Sequence, residues 1–288
     1  MRGLELAGTL FVPATHKDLK IIVSGVKYPN LKSVLIDTED SISNELLDLA
    51  IESIKDLLET YVKSTLLVFI RPRNIKILEE ILLFKNIEKI DGFILPKFSL
   101  CNADDYLQTL RDSKYIIMPS IEGEELFDSA KLIELKNKLL THKDKISLVR
   151  FGLEDMLRQL KMRRTCEDSI FDISVTSSVI GNFIAIFKSS GFDVSGGVYP
   201  CFNDSQGFKK DLLRDLKEGL ISKTIIHPNQ IDIINELYKV EQKDYDEALE
   251  ICNFGDAVFN QTGKMAETTT MLTYSQEIIK RAKLYGIK

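Results

Sequence analysis

The sequence predicts an α/β protein: a closed (β/α)8 barrel, a TIM barrel, with additional C-terminal helices. Three observations carry this expectation. Eight short apolar segments alternate with segments of helical period, the pattern of parallel strands joined by crossover helices. Several of the apolar segments end in charged residues, and in a barrel all such ends open on one face. Neither a Gly-x-Gly-x-x-Gly nor a Gly-x-x-x-x-Gly-Lys-Ser/Thr loop follows any of them, which counts against an open nucleotide-binding sheet.

Taken in order, Thr9-Leu-Phe-Val-Pro13 reads as the first strand, followed by Ala14-Thr-His16 and a helix over 17–26. Ser33-Val-Leu-Ile-Asp-Thr-Glu-Asp40 is a second strand ending in three acids. Leu47, Ala50, Ile51, Ile54, Leu57, Leu58 and Tyr61 then fall on one stripe of a helix over 45–61. The third strand, 65–71, ends in Arg71-Pro-Arg73, and a helix over 75–84 leads to a fourth strand at 91–97. A helix over 103–111, a strand over 115–122 ending in Glu122, a helix over 124–140 and a strand over 147–152 continue the alternation. That sixth strand runs into Gly152-Leu-Glu-Asp155, two consecutive acids at a strand end. A helix over 167–188 stops at Gly191, and 192–199 is a seventh strand weakened by its glycines. Asp204 caps a helix to 218, 223–227 is the eighth strand, and Pro228 starts a helix to 238. The barrel domain is therefore set at 1–240. Residues 241–288 form a helical extension, with helices over 244–259 and 270–285 around a polar loop at 260–267, able to reach over a barrel mouth.

Hydrophobic content of 44% supports a substantial core in a globular protein of 288 residues. A net charge of −5 and a longest basic cluster of only Lys161-Met-Arg-Arg164 argue against a nucleic-acid surface. No apolar run approaches a membrane span, and Met1-Arg-Gly-Leu-Glu-Leu6 lacks the apolar core of a signal peptide, so a cytoplasmic protein is expected. The four cysteines, Cys101, Cys166, Cys201 and Cys252, have no metal-ligand spacing and read as free thiols. His16, His142 and His227 are equally scattered, which disfavours a histidine-built zinc site.

The chemistry lies at the strand ends. Glu122 and Asp155 would be neighbours at the mouth, and two carboxylates brought together repel unless a cation joins them. Mg²⁺ resolves this with one or two carboxylates and leaves positions for water and substrate. Arg71 would grip a substrate carboxylate in a bidentate fork, and Arg73 shares its side of the strand. These parts suit a small 2-oxo or hydroxy acid handled through a metal-stabilised enolate. Structural ion pairs and helix caps are the competing explanation for the same residues. Asp37 and Asp40 would orient the site or neutralise its arginines, Lys97 would face an anion, and Glu39 reads as structural. His16 is either a helix-start residue or a proton-transfer or phosphate contact. Arg158, Arg163 and Arg164 read as a solvated helix face, with an anion grip as the sharper option.

Several segments, in order and at matching spacing, resemble the HpcH/HpaI aldolase and citrate lyase β-subunit superfamily, most closely its citrate lyase β-like branch. They are Leu10-Phe-Val-Pro13, Ile36-Asp-Thr-Glu-Asp-Ser41, Arg71, Leu95-Pro-Lys97, Ile121-Glu122, Gly152-Leu-Glu-Asp155, Lys223-Thr-Ile-Ile-His-Pro-Asn-Gln-Ile231 and Gly263-Lys-Met265. The resemblance implies a carbon–carbon lyase or aldolase, Mg²⁺ on Glu122 and Asp155, Arg71 as substrate anchor and Glu267 as proton-transfer acid. It further implies a homo-oligomer, commonly a trimer, whose C-terminal segment completes a neighbour's site. Ala7 stands where the branch has an arginine, Ala14 where it has a glycine, and Cys201 and Glu267 where it has aspartates. Ala7 and Ala14 belong to the side that grips a CoA thioester or its acid, so CoA use stays open. An accessory, non-catalytic ligand-binding subunit of a biosynthetic complex is the alternative.

Overall fold

The computed structural model describes residues 3–253, 258–261 and 263–288. They fall into two compact units, one ending at Ile231 and the other spanning Asp232–Lys288.

The first unit alternates strands and helices: β1 (Gly8–Pro13), α1 (Leu19–Val23), β2 (Ser33–Asp37), α2 (Leu47–Thr60), β3 (Leu67–Arg71), α3 (Ile75–Leu82), β4 (Gly92–Leu95) and α4 (Ala103–Thr109). It continues with β5 (Ile116–Ile121), α5 (Ser129–Leu140), β6 (Arg150–Phe151), α6 (Leu153–Gln159), α7 (Ser174–Ser189), α8 (Ser205–Lys217) and β7 (Lys223–Ile225). The strands pair in parallel in the order β6-β5-β4-β3-β2-β1-β7. The expected strand over 192–199 forms no regular ladder. Instead Val194 bridges Val149 and Gly196 bridges Lys223, so this segment closes the ring between β6 and β7 with two isolated contacts. Gly196 packs against the Asp215 carboxylate, which a Cβ there would overlap, and as a glycine it offers no side chain to pack across a ladder.

Strand periodicity explains the interior. Leu35, Phe69, Ile94, Met118 and Leu148 meet with Leu6 in a buried plug, against which Phe11 packs. Two residues further along the same strands, on the same face, come Asp37, Arg71, Ser120 and Arg150. Apolar plug and polar mouth are thus successive layers of one inward-facing set. On the outer side, α2 buries Ala50, Ile51, Ile54, Leu57 and Leu58, the stripe its sequence predicts.

Several expectations are corrected. The helix expected over 167–188 begins only at Ser174, and a separate α6 follows β6 directly and carries Asp155 in its first turn. Cys166 and Cys201 are not free thiols: they form a disulfide with Cα atoms 5.9 Å apart, while Cys101 and Cys252 are free. Pairing across 35 residues depends on which loops meet, which spacing alone does not reveal. Arg164 is not a solvated residue; it is buried and ion-paired to Asp211 (3.3 Å), which with Asp215 also flanks the buried Lys223 ammonium at 2.8 and 2.5 Å.

The second unit holds most of α9 (Ile231–Leu237), then α10 (Gln242–Asn253), β8 (Val258–Gln261), β9 (Lys264–Glu267) and α11 (Thr268–Tyr285). Val240, Ala248, Ile278 and Ala282 form its core, and Tyr238 meets Tyr285 edge-on with centroids 5.1 Å apart. The helix expected over 244–259 ends at Asn253; its continuation over 254–257 lies outside the described residues. The loop expected at 260–267 is an antiparallel hairpin of β8 and β9 instead, with Gly263 at φ +82°. Thr262 of that loop also lies outside the described residues, as do Met1 and Arg2 at the start of the chain. No described helix is long and apolar enough to cross a membrane.

Candidate metal and substrate site

The C-terminal ends of the strands enclose a cavity of about 440 Å³ whose wall includes Phe11, Arg71, Glu122, Arg150, Asp155 and Thr224. Glu122 follows β5 and Asp155 lies in the first turn of α6, where a carboxylate also interacts favourably with the helix dipole. Gly152, between β6 and α6, lets the two approach. A Cβ at 152 would overlap Glu122 Oε2 and Cβ and sit 3.1 Å from its Cδ, so no larger residue fits without moving that carboxylate.

Glu122 is buried. Its Oε1 accepts the Lys97 backbone N–H (2.6 Å) and its Oε2 the Ser120 hydroxyl (3.3 Å). Burial pushes the Glu122 carboxyl up to about 7; the Lys97 N–H opposes this, while the charges of Asp155 and Glu39 reinforce it. Lys97 adopts φ +47° to aim that N–H. The Asp155 carboxylate pairs with the exposed Arg158 guanidinium, and the Gln159 amide donates to the Glu122 carbonyl (2.6 Å).

Arg71 is enclosed by acids. Its Nε and Nη2 form a fork on Asp37 at 2.6 and 2.8 Å, and its Nη1 faces Glu39 (3.1 Å) and Asp40 (3.7 Å). Burial pushes the Asp37 carboxyl up, but the Arg71 fork, Ser41 and the Glu39 N–H outweigh it and hold Asp37 below the usual carboxylate range. Lys97 Nζ pairs with Glu39 and Asp40 beside a second, smaller cavity that Asp40 and Arg73 also line. Arg73, just after β3, staples the loop between β2 and α2, donating to the carbonyls of Thr38, Glu39 and Ile42 and to Asn44.

The residues expected at the site are thus partly gathered. Arg71, Asp40, Glu122 and Asp155 share one cavity, Asp37 and Lys97 brace them, and Arg73 faces the neighbouring loop. His16 is a helix-start residue whose Nδ1 accepts the Asp18 N–H (3.1 Å). Glu267 belongs to the C-terminal unit, between β9 and α11, and its carboxylate accepts the Thr270 hydroxyl (3.3 Å).

Arg150 went unnoticed in the sequence. Its signal was present: a lone arginine inside the apolar run Leu148-Val-Arg-Phe151, two residues on from the inward-facing Leu148. It is 3% exposed, donates to Thr224 Oγ1 (2.9 Å), approaches Met118 Sδ (3.8 Å) and stacks over the Phe11 ring. Burial, with the charge of Arg71, pulls its guanidinium down to about 9, still protonated at neutral pH.

The donor set decides what ion could fit. No group of three or more His, Cys, Asp or Glu placed to hold a metal exists among the described residues. Two carboxylates on one open cavity, one of them raised towards 7 by burial and by the other's charge, suit Mg²⁺, which keeps most of its shell for water and substrate.

A family model described as C-C bond lyase of the TIM-barrel fold matches residues 1–287. Citrate lyase subunit beta of Escherichia coli (strain K12) is 26% identical over 147 residues, 49% of this chain and 47% of that protein. A (3S)-malyl-CoA thioesterase of Cereibacter sphaeroides (strain ATCC 17025 / ATH 2.4.3) is 23% identical over 203 residues, 67% of this chain and 65% of that one. The chain therefore spans about half the length of the citrate lyase subunits it matches and about two thirds of the thioesterase. Among solved structures, the protein CitE from Mycobacterium tuberculosis in complex with magnesium, acetoacetate and coenzyme A superposes with a TM-score of 0.72. That match is 17% identical and covers 98% of this chain and 99% of that one, a likeness of fold.

Proposed function

We propose, from the premise that this chain belongs to the C-C bond lyase family of the TIM-barrel fold, that it breaks or forms a carbon–carbon bond in a small 2-oxo or hydroxy acid with Mg²⁺ held by Glu122 and Asp155. One observation carries the reading: buried Glu122 at the end of β5 and Asp155 in the first turn of α6 line the same open cavity at the strand ends. When bound, Mg²⁺ supplies a Lewis-acid centre that polarises the substrate oxygens and disperses negative charge developing on them. The solved Mycobacterium tuberculosis complexes with oxaloacetate and magnesium and with magnesium and pyruvate support both classes of ligand.

The chain's own residues do the rest. The Lys97 N–H and the Ser120 hydroxyl orient the Glu122 carboxylate. Arg71, clamped by Asp37, keeps a fixed positive charge on the cavity wall, with its Nη1 edge turned towards Glu39 and Asp40 and able to exchange them for a substrate carboxylate. Phe11 and Ile94 make part of the wall apolar. Glu267 is the proton-transfer candidate. Coenzyme A is not part of the proposal, because Ala7 and Ala14 replace the arginine and glycine of the related branch.

We further place the protein in the cytoplasm as a homo-oligomer. There the Cys166–Cys201 bridge persists only if its potential lies below that of the glutathione pool. The departures at Ala7 and Cys201 favour one second reading, an accessory ligand-binding subunit, and turnover of any 2-oxo acid by the isolated protein with Mg²⁺ would exclude it. The assignment is tested with Glu122→Gln and Asp155→Asn. Both are expected to stay folded by circular dichroism and to lose Mg²⁺ binding in calorimetry by about 100-fold. Wild-type affinity in both would overturn it.

A further inference from the structure

Buried cations in the barrel unit come with acids. Arg71 has Asp37, Glu39 and Asp40; Lys223 has Asp211 and Asp215; Arg164 has Asp211. Arg150 is the exception. Among the described residues no carboxylate lies within ion-pair distance of it, although Asp40, Glu122, Glu154 and Asp155 line the same cavity. Its partners are neutral: the Thr224 hydroxyl, the Met118 sulfur and the face of Phe11.

Arg71 makes matters worse, since its guanidinium lies over the same Phe11 ring, with centroid distances of 5.3 Å for Arg71 and 5.6 Å for Arg150. Arginine does not escape by losing its proton. An uncompensated charge at 3% exposure is costly, and the protein has not relieved it with a side chain of its own. Of the five guanidinium N–H groups, one is taken by Thr224 and one weakly by sulfur, which leaves donors for an anion entering the cavity.

We propose that Arg150 is a specificity-determining anchor and that the substrate is a diacid, whose second carboxylate seats on the Arg150 guanidinium beside the Thr224 hydroxyl. The inference rests on the reading of this cavity as the substrate site. A carboxylate matches the planar fork of one arginine. The cavity of about 440 Å³ accommodates a small diacid that reaches from the Glu122 and Asp155 side to Arg150. Arg150 thereby divides substrates: monoacids satisfy the proposed metal side alone, diacids satisfy both.

The test compares wild type, Arg150→Met, Arg150→Lys and Glu122→Gln by calorimetry and thermal shift, with malonate, succinate, propionate and inorganic phosphate, each with Mg²⁺ and with EDTA. Wild type is expected to prefer the better diacid over propionate by at least 10-fold. Arg150→Met should abolish that preference by weakening the diacid at least 10-fold more than propionate, and Arg150→Lys should restore part of it. Without ligand, Arg150→Met should melt at or above the wild-type temperature, because an unpaired buried charge has gone. Equal loss for diacid and monoacid, no preference in the wild type, or a markedly lower melting temperature would overturn the proposal by marking the arginine as structural. Phosphate binding tighter than either diacid and lost in Arg150→Met would overturn the carboxylate assignment. Glu122→Gln separates the two readings. If it leaves Mg²⁺ binding intact while Arg150→Met removes the diacid preference, the metal reading fails and this one stands; the converse pattern sinks this one alone.

Discussion

Gly152→Ala should cripple the proposed metal site through a single methyl group. The added Cβ would lie closer than 3.0 Å to both Oε2 and Cβ of Glu122 and 3.1 Å from its Cδ, where side-chain carbons settle at about 3.5 Å or more. The Gly152 backbone cannot retreat freely, because its N–H is bonded to the Ile121 carbonyl at 3.0 Å. Glu122 must therefore swing by roughly 1 Å and give up the 2.6 Å bond from the Lys97 N–H. A displacement of that size lowers the rate by about 100-fold, and lost carboxylate orientation weakens metal binding by about 10- to 100-fold. Overpacking adds about 1–3 kcal/mol of destabilisation. The assay pairs calorimetric Mg²⁺ titration with thermal melts of Gly152→Ala in wild-type and Glu122→Gly backgrounds, because only glycine at 122 also removes the Cβ that the methyl meets. In the second background the methyl finds space, so the two substitutions should couple by about 1–3 kcal/mol. Wild-type Mg²⁺ affinity with an unchanged melting temperature in Gly152→Ala would refute the reasoning.

Asp37→Asn breaks a buried fork on Arg71 and should cost about 3 kcal/mol at pH 7, the lower end of the range because Glu39 and Asp40 remain beside the guanidinium. Since the folded Asp37 carboxyl is depressed, its contribution is present above the unfolded value near 3.9 and fades as pH falls through the folded one. The gap in melting temperature between wild type and Asp37→Asn should accordingly shrink below about pH 4, and a constant gap from pH 7 to 3 would contradict the assignment. Reducing the Cys166–Cys201 bridge, or replacing both cysteines by serine, releases a loop of 35-residue separation. The chain-entropy cost of about 4 kcal/mol predicts a melting temperature lower by roughly 8 °C or more. Identical melts with and without dithiothreitol would show that the bridge adds no constraint.

Alternating apolar and helical segments sufficed to place seven of the eight expected strands, because strand and helix periods are local properties that survive without tertiary information. The remaining one, the seventh at 192–199, was legible only as a weak segment: Gly196 and Gly197 remove side chains that a ladder would pack, and closure there depends on Val149 and Lys223 arriving from elsewhere. Acidic strand ends pointed to Glu122 and Asp155, since a barrel sends every strand end to one face. Local pattern was therefore enough for the barrel, its charged strand ends and two acids, Glu122 and Asp155, that line one cavity. How charge is shared there came from tertiary contacts. They set Arg71 among Asp37, Glu39 and Asp40, joined Cys166 to Cys201, and left Arg150 buried beside Thr224 with no acid. Those outcomes depend on distances between residues remote in the chain, and electrostatic energy in a buried site follows those distances rather than residue order.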